Sequence, residues 1–361
     1  MASAPHHAGL GDLGGGPSHP ASGHSRLANH RRDLLHEAAH PPGGPTGGRT
    51  RRLRERNPLT LSGSGRLPDG DGRHHRCRAC GHLGWHPGHH LRVIDRRSGP
   101  MIPQPRHVID VHSHYDWYMH ERGLIDPDHH LERILKTYPI DKIAGCCLAP
   151  GGLFPTPRTI RVLNDKGLTA MQRFPGVYYS LCYLNATHEA EACLAELQRC
   201  LDAGMVGVKL WASQLADDPC TYPIMERCGE LGLPILVHAL VKSGGNALRE
   251  SKAEHVARLS NRFPETPIYM AHYGGPPEFG NRALRAAPNL LVDTAGSIAE
   301  TGSTELPMRD IAPERLLFGT DNIAYPFCLA KITGAGITGD AVELAMWRNA
   351  NRLFRFFPEE L

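Results

Sequence analysis

Val108-Ile-Asp-Val-His-Ser-His-Tyr115 is an apolar run that ends in two histidines separated by one serine. In an extended strand, residues two apart share a face, so His112 and His114 project together while Ser113 turns away. Two imidazoles on one buried face cost several kcal/mol unless something pairs with them. Three later segments repeat the pattern of an apolar strand closed by a polar residue: Pro234-Ile-Leu-Val-His238, Pro267-Ile-Tyr-Met-Ala-His272 and Arg315-Leu-Leu-Phe-Gly-Thr-Asp321. Polar residues at the C-terminal ends of strands separated by helices mark the chemical face of an α/β barrel.

Working outward, eight short apolar runs read as strands: Val108–His114, Lys142–Leu148, Val177–Leu184, Val206–Trp211, Ile235–Leu240, Ile268–His272, Leu290–Thr294 and Leu316–Thr320. Helical spacing of apolar residues fills most of the gaps, over Glu189–Ala203, Tyr222–Leu231, Lys252–Arg262 and Asn281–Ala287, and Asp340–Phe356 closes the chain. Alternating strands and helices with continuously apolar strands argue a parallel sheet, and eight strands argue closure. The expected fold is a distorted TIM (β/α)8 barrel over residues 101–361, roughly the 250 residues such barrels need. An open doubly wound sheet is the weaker alternative, because no Gly-rich phosphate fingerprint follows any strand.

The near balance of 40 basic and 37 acidic residues conceals an asymmetry. Residues 1–100 carry 15 Arg, no Lys, 7 acids and 13 of the 23 histidines, with Trp85 as the sole bulky aromatic. Such a stretch buries too little apolar surface to offset its chain entropy, and disorder is expected. Three readings stand: upstream sequence read as coding, which is favoured; a disordered tail; or a basic arm whose runs suit phosphates only generically. Cys77-Arg-Ala-Cys80 with His82, His86, His89 and His90 resembles a zinc cluster, but its spacing is too short for an ordinary finger. The 10 cysteines follow no disulfide framework, and there is no signal-peptide core or apolar run near the length of a membrane span. A cytoplasmic, non-membrane protein with reduced thiols is expected, acting on a small molecule without specific nucleic-acid recognition; a homodimer is admitted.

His112, His114, His238 and Asp321 are candidate metal ligands. For His238 the alternative is a bond to a backbone carbonyl, and for Asp321 a helix cap. His272 is read as a group that polarises substrate or orients water rather than as a ligand. Asp110 reads as a supporting carboxylate one layer deeper. Lys209 could be carboxylated and bridge two metals, could hold an anionic substrate group, or could simply pack its stem and pair its ammonium. Arg158 and Arg282 are further candidates for a substrate carboxylate.

The segments together resemble the amidohydrolase-2 branch of the metal-dependent amidohydrolase superfamily, which includes the aminocarboxymuconate semialdehyde decarboxylase group. Besides His112-Ser-His114, the matching stretches are Asn164-Asp165 before Arg173-Phe-Pro-Gly-Val177, Ala203-Gly-Met-Val-Gly-Val-Lys-Leu-Trp211 and Glu230-Leu-Gly-Leu-Pro-Ile-Leu-Val-His238. They continue with Arg262-Phe-Pro-Glu-Thr-Pro267, Ala271-His-Tyr-Gly-Gly275, Asn289-Leu-Leu-Val-Asp-Thr-Ala-Gly-Ser297, the Asp321 segment and Asn349-Ala-Asn-Arg-Leu-Phe354. The resemblance implies one divalent metal among His112, His114, His238 and Asp321, with His272 as catalytic histidine. Zinc leads, with manganese or iron as alternatives. The leading chemistry is hydrolysis of an amide, lactone or ester by a metal-activated water, with Asp321 taking the proton and His272 stabilising charge. The competing chemistry is non-oxidative decarboxylation of an unsaturated or aromatic acid, and a third reading is a degenerate metabolite-binding barrel.

Overall fold

The computed structural model describes residues 105–361 apart from 116–122, 124, 149–151, 243, 297–301 and 322–324. The expectations for residues 1–100, including the Cys77–Cys80 cluster, lie outside the described residues. Eight strands run β1 (Ile109–His114), β2 (Lys142–Cys146), β3 (Tyr178–Leu184), β4 (Gly207–Leu210), β5 (Ile235–Val237), β6 (Ile268–Met270), β7 (Leu291–Asp293) and β8 (Leu316–Leu317). They form one sheet in sequence order, and every neighbouring pair is parallel. Backbone bonds from Val111 N–H to the Phe318 carbonyl (3.0 Å) and from Thr320 N–H to the His112 carbonyl (3.1 Å) join the last strand to the first. The fold is the expected TIM barrel.

Between the strands lie α1 (Pro127–Thr137), α2 (Pro157–Arg173), α3 (Ala190–Asp202), α4 (Tyr222–Leu231), α5 (Ala253–Arg262), α6 (Pro277–Ala286) and α7 (Glu305–Asp310). After β8 come α8 (Tyr325–Gly334), α9 (Asp340–Glu343) and α10 (Asn349–Phe354). Two of the helices absent from the sequence reading announce themselves chemically. Asp126 caps α1 by accepting from His129 N–H, and Thr156 caps α2 by accepting from Thr159 N–H; each is followed by a proline. Proline suits a first helical turn, where its missing N–H has no intrahelical partner to lose. The expected closing helix Asp340–Phe356 is found as one unbroken helical run from Asp340 to Phe354. A π-helical turn at Leu344–Arg348 lies within it between α9 and α10, and Arg355 (φ 55°) ends the run in the left-handed region.

Two apolar layers result from the alternation of strand side chains. Ile109, Ala144, Leu181, Leu236, Tyr269 and Leu317 fill the barrel interior, joined by Trp347 and Ala350 from the C-terminal helical run. The other strand phase, with Val208, Ile235 and Ile268, packs against Leu197 of α3, Met225 of α4 and Val256 of α5. The register of β1 slips between Asp110 and Ser113. A bulge of this kind re-aims the side chains that follow it. Asp110 reads in the sequence as a supporting carboxylate one layer below the histidine pair, and its bonds are of that kind. Its carboxylate accepts from the Thr320 hydroxyl (2.6 Å), Thr320 N–H (3.1 Å) and His112 N–H (3.0 Å), tying β1 to the segment after β8. Burial pushes the Asp110 carboxyl up to about 7 against these bonds.

Candidate metal centre

The polar residues gather where the strands end. β5 and β6 stop before His238 and His272, and β8 stops well before Asp321, so each of these three lies just past the ladder. His272 (φ 58°) and Asp321 (φ 53°) both adopt left-handed backbone. That conformation is costly for a residue with a Cβ and recurs at functional sites.

Asp321 is the hub. Its Oδ1 lies 3.0 Å from His114 Nε2 and 3.4 Å from His112 Nε2, and its Oδ2 lies 3.9 Å from His272 Nδ1. Ligand atoms of His112, His272 and Asp321 all fall within 4.8 Å of one another, a group compact enough for one ion. His238 stacks edge-on to His272 with ring centroids 5.1 Å apart, but its Nε2 meets Glu250 Oε1 at 2.8 Å.

What each imidazole does with its outer nitrogen separates the four. An ionised carboxylate only accepts, so a ring nitrogen bonded to one carries the proton and leaves the lone pair on the other. His112 Nδ1 donates to Asp293 Oδ2 (2.8 Å), which leaves Nε2 as the inward donor atom. For His114, Nδ1 lies 3.3 Å from the Cys146 Sγ and 3.4 Å from the Cys146 carbonyl, and Nε2 faces Asp321. For His238 the Glu250 bond protonates Nε2 and frees Nδ1. Such outer carboxylates and carbonyls are the usual supports of metal-ligating histidines. His272 turns its Nδ1 inward, 3.9 Å from Asp321 Oδ2, where it is buried with no hydrogen-bond partner. The most compact trio thus includes His272 and leaves out His114 and His238, while His112 and His238 are the two whose other nitrogens meet carboxylates. The donor set of imidazoles and one carboxylate fits a divalent ion such as zinc.

Electrostatics follow from burial. Asp321 would be raised by desolvation, but His272, His114 and His112 hold it well below the usual carboxylate range. Burial depresses His272 to about 3 and puts His112 well below its ordinary value, Lys209 adding to the effect on His112. His114 is the exception: burial lowers it, but Cys146 and Asp321 outweigh that and lift it to about 9. The Lys209 ammonium sits wholly buried, 3.2 Å from His112 Nε2, and burial lowers its pKa.

The two arginines are not brought to this cluster. Arg158 is exposed in the first turn of α2 and lines a separate cavity of about 380 Å³ with Leu184, His188 and Glu196. Arg282 is exposed on α6, whose buried face is made by Pro277, Gly280, Asn281, Ala283 and Leu284. Helical phase alone turns it to solvent.

Asp293 and Glu250 are supporting residues absent from the sequence reading. Asp293 is fully buried; its Oδ1 accepts from His272 N–H (2.8 Å) and Ala295 N–H (3.0 Å) while Oδ2 holds His112. It closes an apolar strand just as Asp321 does, so the same signal could have found it. Glu250 sits in the long connection after β5 and offers no such pattern. It also accepts from Lys242 (2.7 Å) and Ala247 N–H (2.8 Å), and although burial opposes it, His238 and Lys242 hold it at about 2.

Residues 156–356 match a family model described as amidohydrolase. Among solved structures, the 2,6-dihydroxybenzoate decarboxylase from Rhizobium is 19% identical with a TM-score of 0.55, over 69% of this chain and 98% of its own. A dihydroxybenzoic acid decarboxylase from Polaromonas sp. JS666, holding manganese and the inhibitor 2-nitroresorcinol, is 17% identical with a TM-score of 0.55, over 69% and 97%. A proposed 2-pyrone-4,6-dicarboxylic acid hydrolase from Pseudomonas putida is 16% identical with a TM-score of 0.50, over 70% and 98%. At these identities the likeness is one of fold. No curated protein matches the chain. Among the described residues, no helix is long and apolar enough to cross a membrane.

Proposed function

We propose, from the premise that this chain belongs to the amidohydrolase family and is an enzyme, that it hydrolyses a small carbonyl substrate with the aid of one divalent ion. The observation that carries this reading is the Asp321 carboxylate set among three imidazoles, with the unpartnered His272 Nδ1 3.9 Å from its Oδ2. His112, His114, His238 and Asp321 would hold the ion, zinc being the ion best suited to their nitrogens and carboxylate. When bound, such an ion polarises a carbonyl and lowers the pKa of water to about 7.

The chain's own residues supply the remainder. Asp321, held ionised by its imidazole neighbours, accepts a proton from water and returns it to the leaving group. His272 is neutral across the physiological range because burial depresses it to about 3. It is placed to hydrogen-bond the oxygen on which charge develops. Asp293, Glu250 and the Cys146 carbonyl fix the imidazoles. We place the enzyme in the reducing cytoplasm, supported by the free state of every described cysteine.

One observation favours decarboxylation as a second reading. The Lys209 ammonium is buried against His112, where it could hold the carboxylate that such a substrate must carry. The test combines elemental analysis with a panel of esters, lactones, amides and aromatic acids, scoring acid release against carbon dioxide. Acid release by a one-zinc protein is expected. Carbon dioxide without acid release would select the second reading, and a protein that binds no ion would end both.

A further inference from the structure

Lys331 lies on α8 and is almost wholly buried, and its ammonium donates to three backbone carbonyls, those of Thr294 (2.7 Å), Ala295 (3.4 Å) and Gly296 (2.5 Å), with the Phe327 ring centroid 5.5 Å away. The β7 ladder ends at Asp293, so these three carbonyls belong to the segment just beyond it. A buried ammonium is costly unless fully hydrogen-bonded, and three donors meeting three acceptors is the arrangement that permits it. An apolar side chain would fill the space more cheaply, but it would supply none of those directed bonds.

The anchored segment has one evident neighbour. Gly296 adopts φ +87°, and a Cβ there would stand 2.7 Å from His272 Nδ1 and 3.3 Å from its Cγ. The Gly296 backbone is thus a wall against the imidazole, on the side of the nitrogen that has no hydrogen-bond partner. Asp293 Oδ1 accepts the Ala295 N–H of the same segment and also the N–H of His272, linking the two. The segment is therefore held by a carboxylate that accepts the Ala295 N–H and an ammonium that donates to its three carbonyls.

We propose that Lys331 is a positioning residue for His272, acting through the Thr294–Gly296 backbone to fix the imidazole against Asp321. This rests on the reading of His272 as a catalytic group, and the test separates the two ideas. Lys331→Met, Gly296→Ala, the double variant and Lys331→Arg are prepared in the full chain. Each is measured for zinc per chain, for the His272 imidazole signals by nitrogen NMR (assigned by their loss in His272→Ala), and for kcat and KM on the best substrate of the panel.

Lys331→Met is expected to keep its zinc and leave KM within about threefold while the His272 signals move more than those of other histidines. A displaced catalytic group can cost up to about a hundredfold in rate, so kcat should fall about tenfold to a hundredfold. Lys331→Arg should recover part of that loss, and the double variant should be little worse than either single one, because both changes act on one wall. Unmoved His272 signals in Lys331→Met, or a fully additive double variant, overturn the proposal. Moved signals with unchanged kcat leave the positioning intact and instead defeat the catalytic reading of His272. Should Lys331→Met not fold, Lys331→Gln, which keeps one donor for the carbonyls, carries the test: moved His272 signals support the proposal and unmoved signals overturn it.

Discussion

Asp293→Asn isolates the support of His112 with almost no change of shape. Asp293 Oδ1 accepts two backbone N–H groups, so the asparagine oxygen is retained there and its amide nitrogen must face His112 Nδ1. Two donors cannot share a hydrogen bond, and His112 is driven to the tautomer protonated on Nε2. That removes the lone pair directed at the ion. Loss of such a support typically lowers metal affinity about tenfold to a hundredfold, which is about 1.4 to 2.7 kcal/mol. The two backbone bonds survive but become neutral rather than charge-assisted, so stability should fall by only about 1 kcal/mol. Competition for zinc against a chromophoric chelator measures the affinity, and urea unfolding of the metal-free protein measures the stability. Zinc affinity within about twofold of the wild type, in a folded variant, would refute the assignment of His112 Nε2 as a ligand atom.

Three further outcomes are expected. His272→Ala should keep its zinc while kcat falls by about two to four powers of ten, whereas His238→Ala should lose the zinc; equal zinc loss in both would make His272 a ligand. Because His114 is held at about 9 in the metal-free protein, it carries a proton at pH 7 that the ion must displace. Zinc uptake in weak buffer should then release about one proton from this group, with affinity rising about tenfold per pH unit from 7 towards 9; uptake without proton release, or flat affinity, would contradict this. Leu236→Ala in the fully buried barrel interior should cost about 2 to 5 kcal/mol in urea unfolding of the metal-free protein without changing zinc stoichiometry, and a cost below 1 kcal/mol would argue against a packed interior.

The strands were legible because parallel barrel strands are buried on both faces and read as unbroken apolar runs. Their C-terminal limits were overshot for a physical reason. His272 and Asp321 leave regular strand geometry by a left-handed turn that no alternation of apolar residues reports, while His238 still donates its N–H to the Leu210 carbonyl just past the end of β5. The site was legible in outline, since Asp321 and the histidines close their strands. Its supports were less so. Asp293 carries the same strand-end signature, but Glu250 and Lys331 reach the centre from a connection and a helix, where a charged residue ordinarily reads as surface. The slip in β1 between Asp110 and Ser113 is set by pairing with β2 rather than by local composition, and strand periodicity is silent about it.

The join between β1 and β8 links residues as much as 210 apart in the chain. Closing a loop of that length costs on the order of 5 kcal/mol of chain entropy. The proposed ligands straddle this seam, with His112 and His114 on one side and Asp321 on the other. An ion held by them would act as a removable cross-link between the two ends of the barrel. Chelation should therefore loosen the protein first along this line, and exchange of the Val111 and Thr320 amide protons should accelerate before that of the β3–β5 ladder. The lifetime of the closed barrel, and not only its chemistry, would then follow the supply of metal.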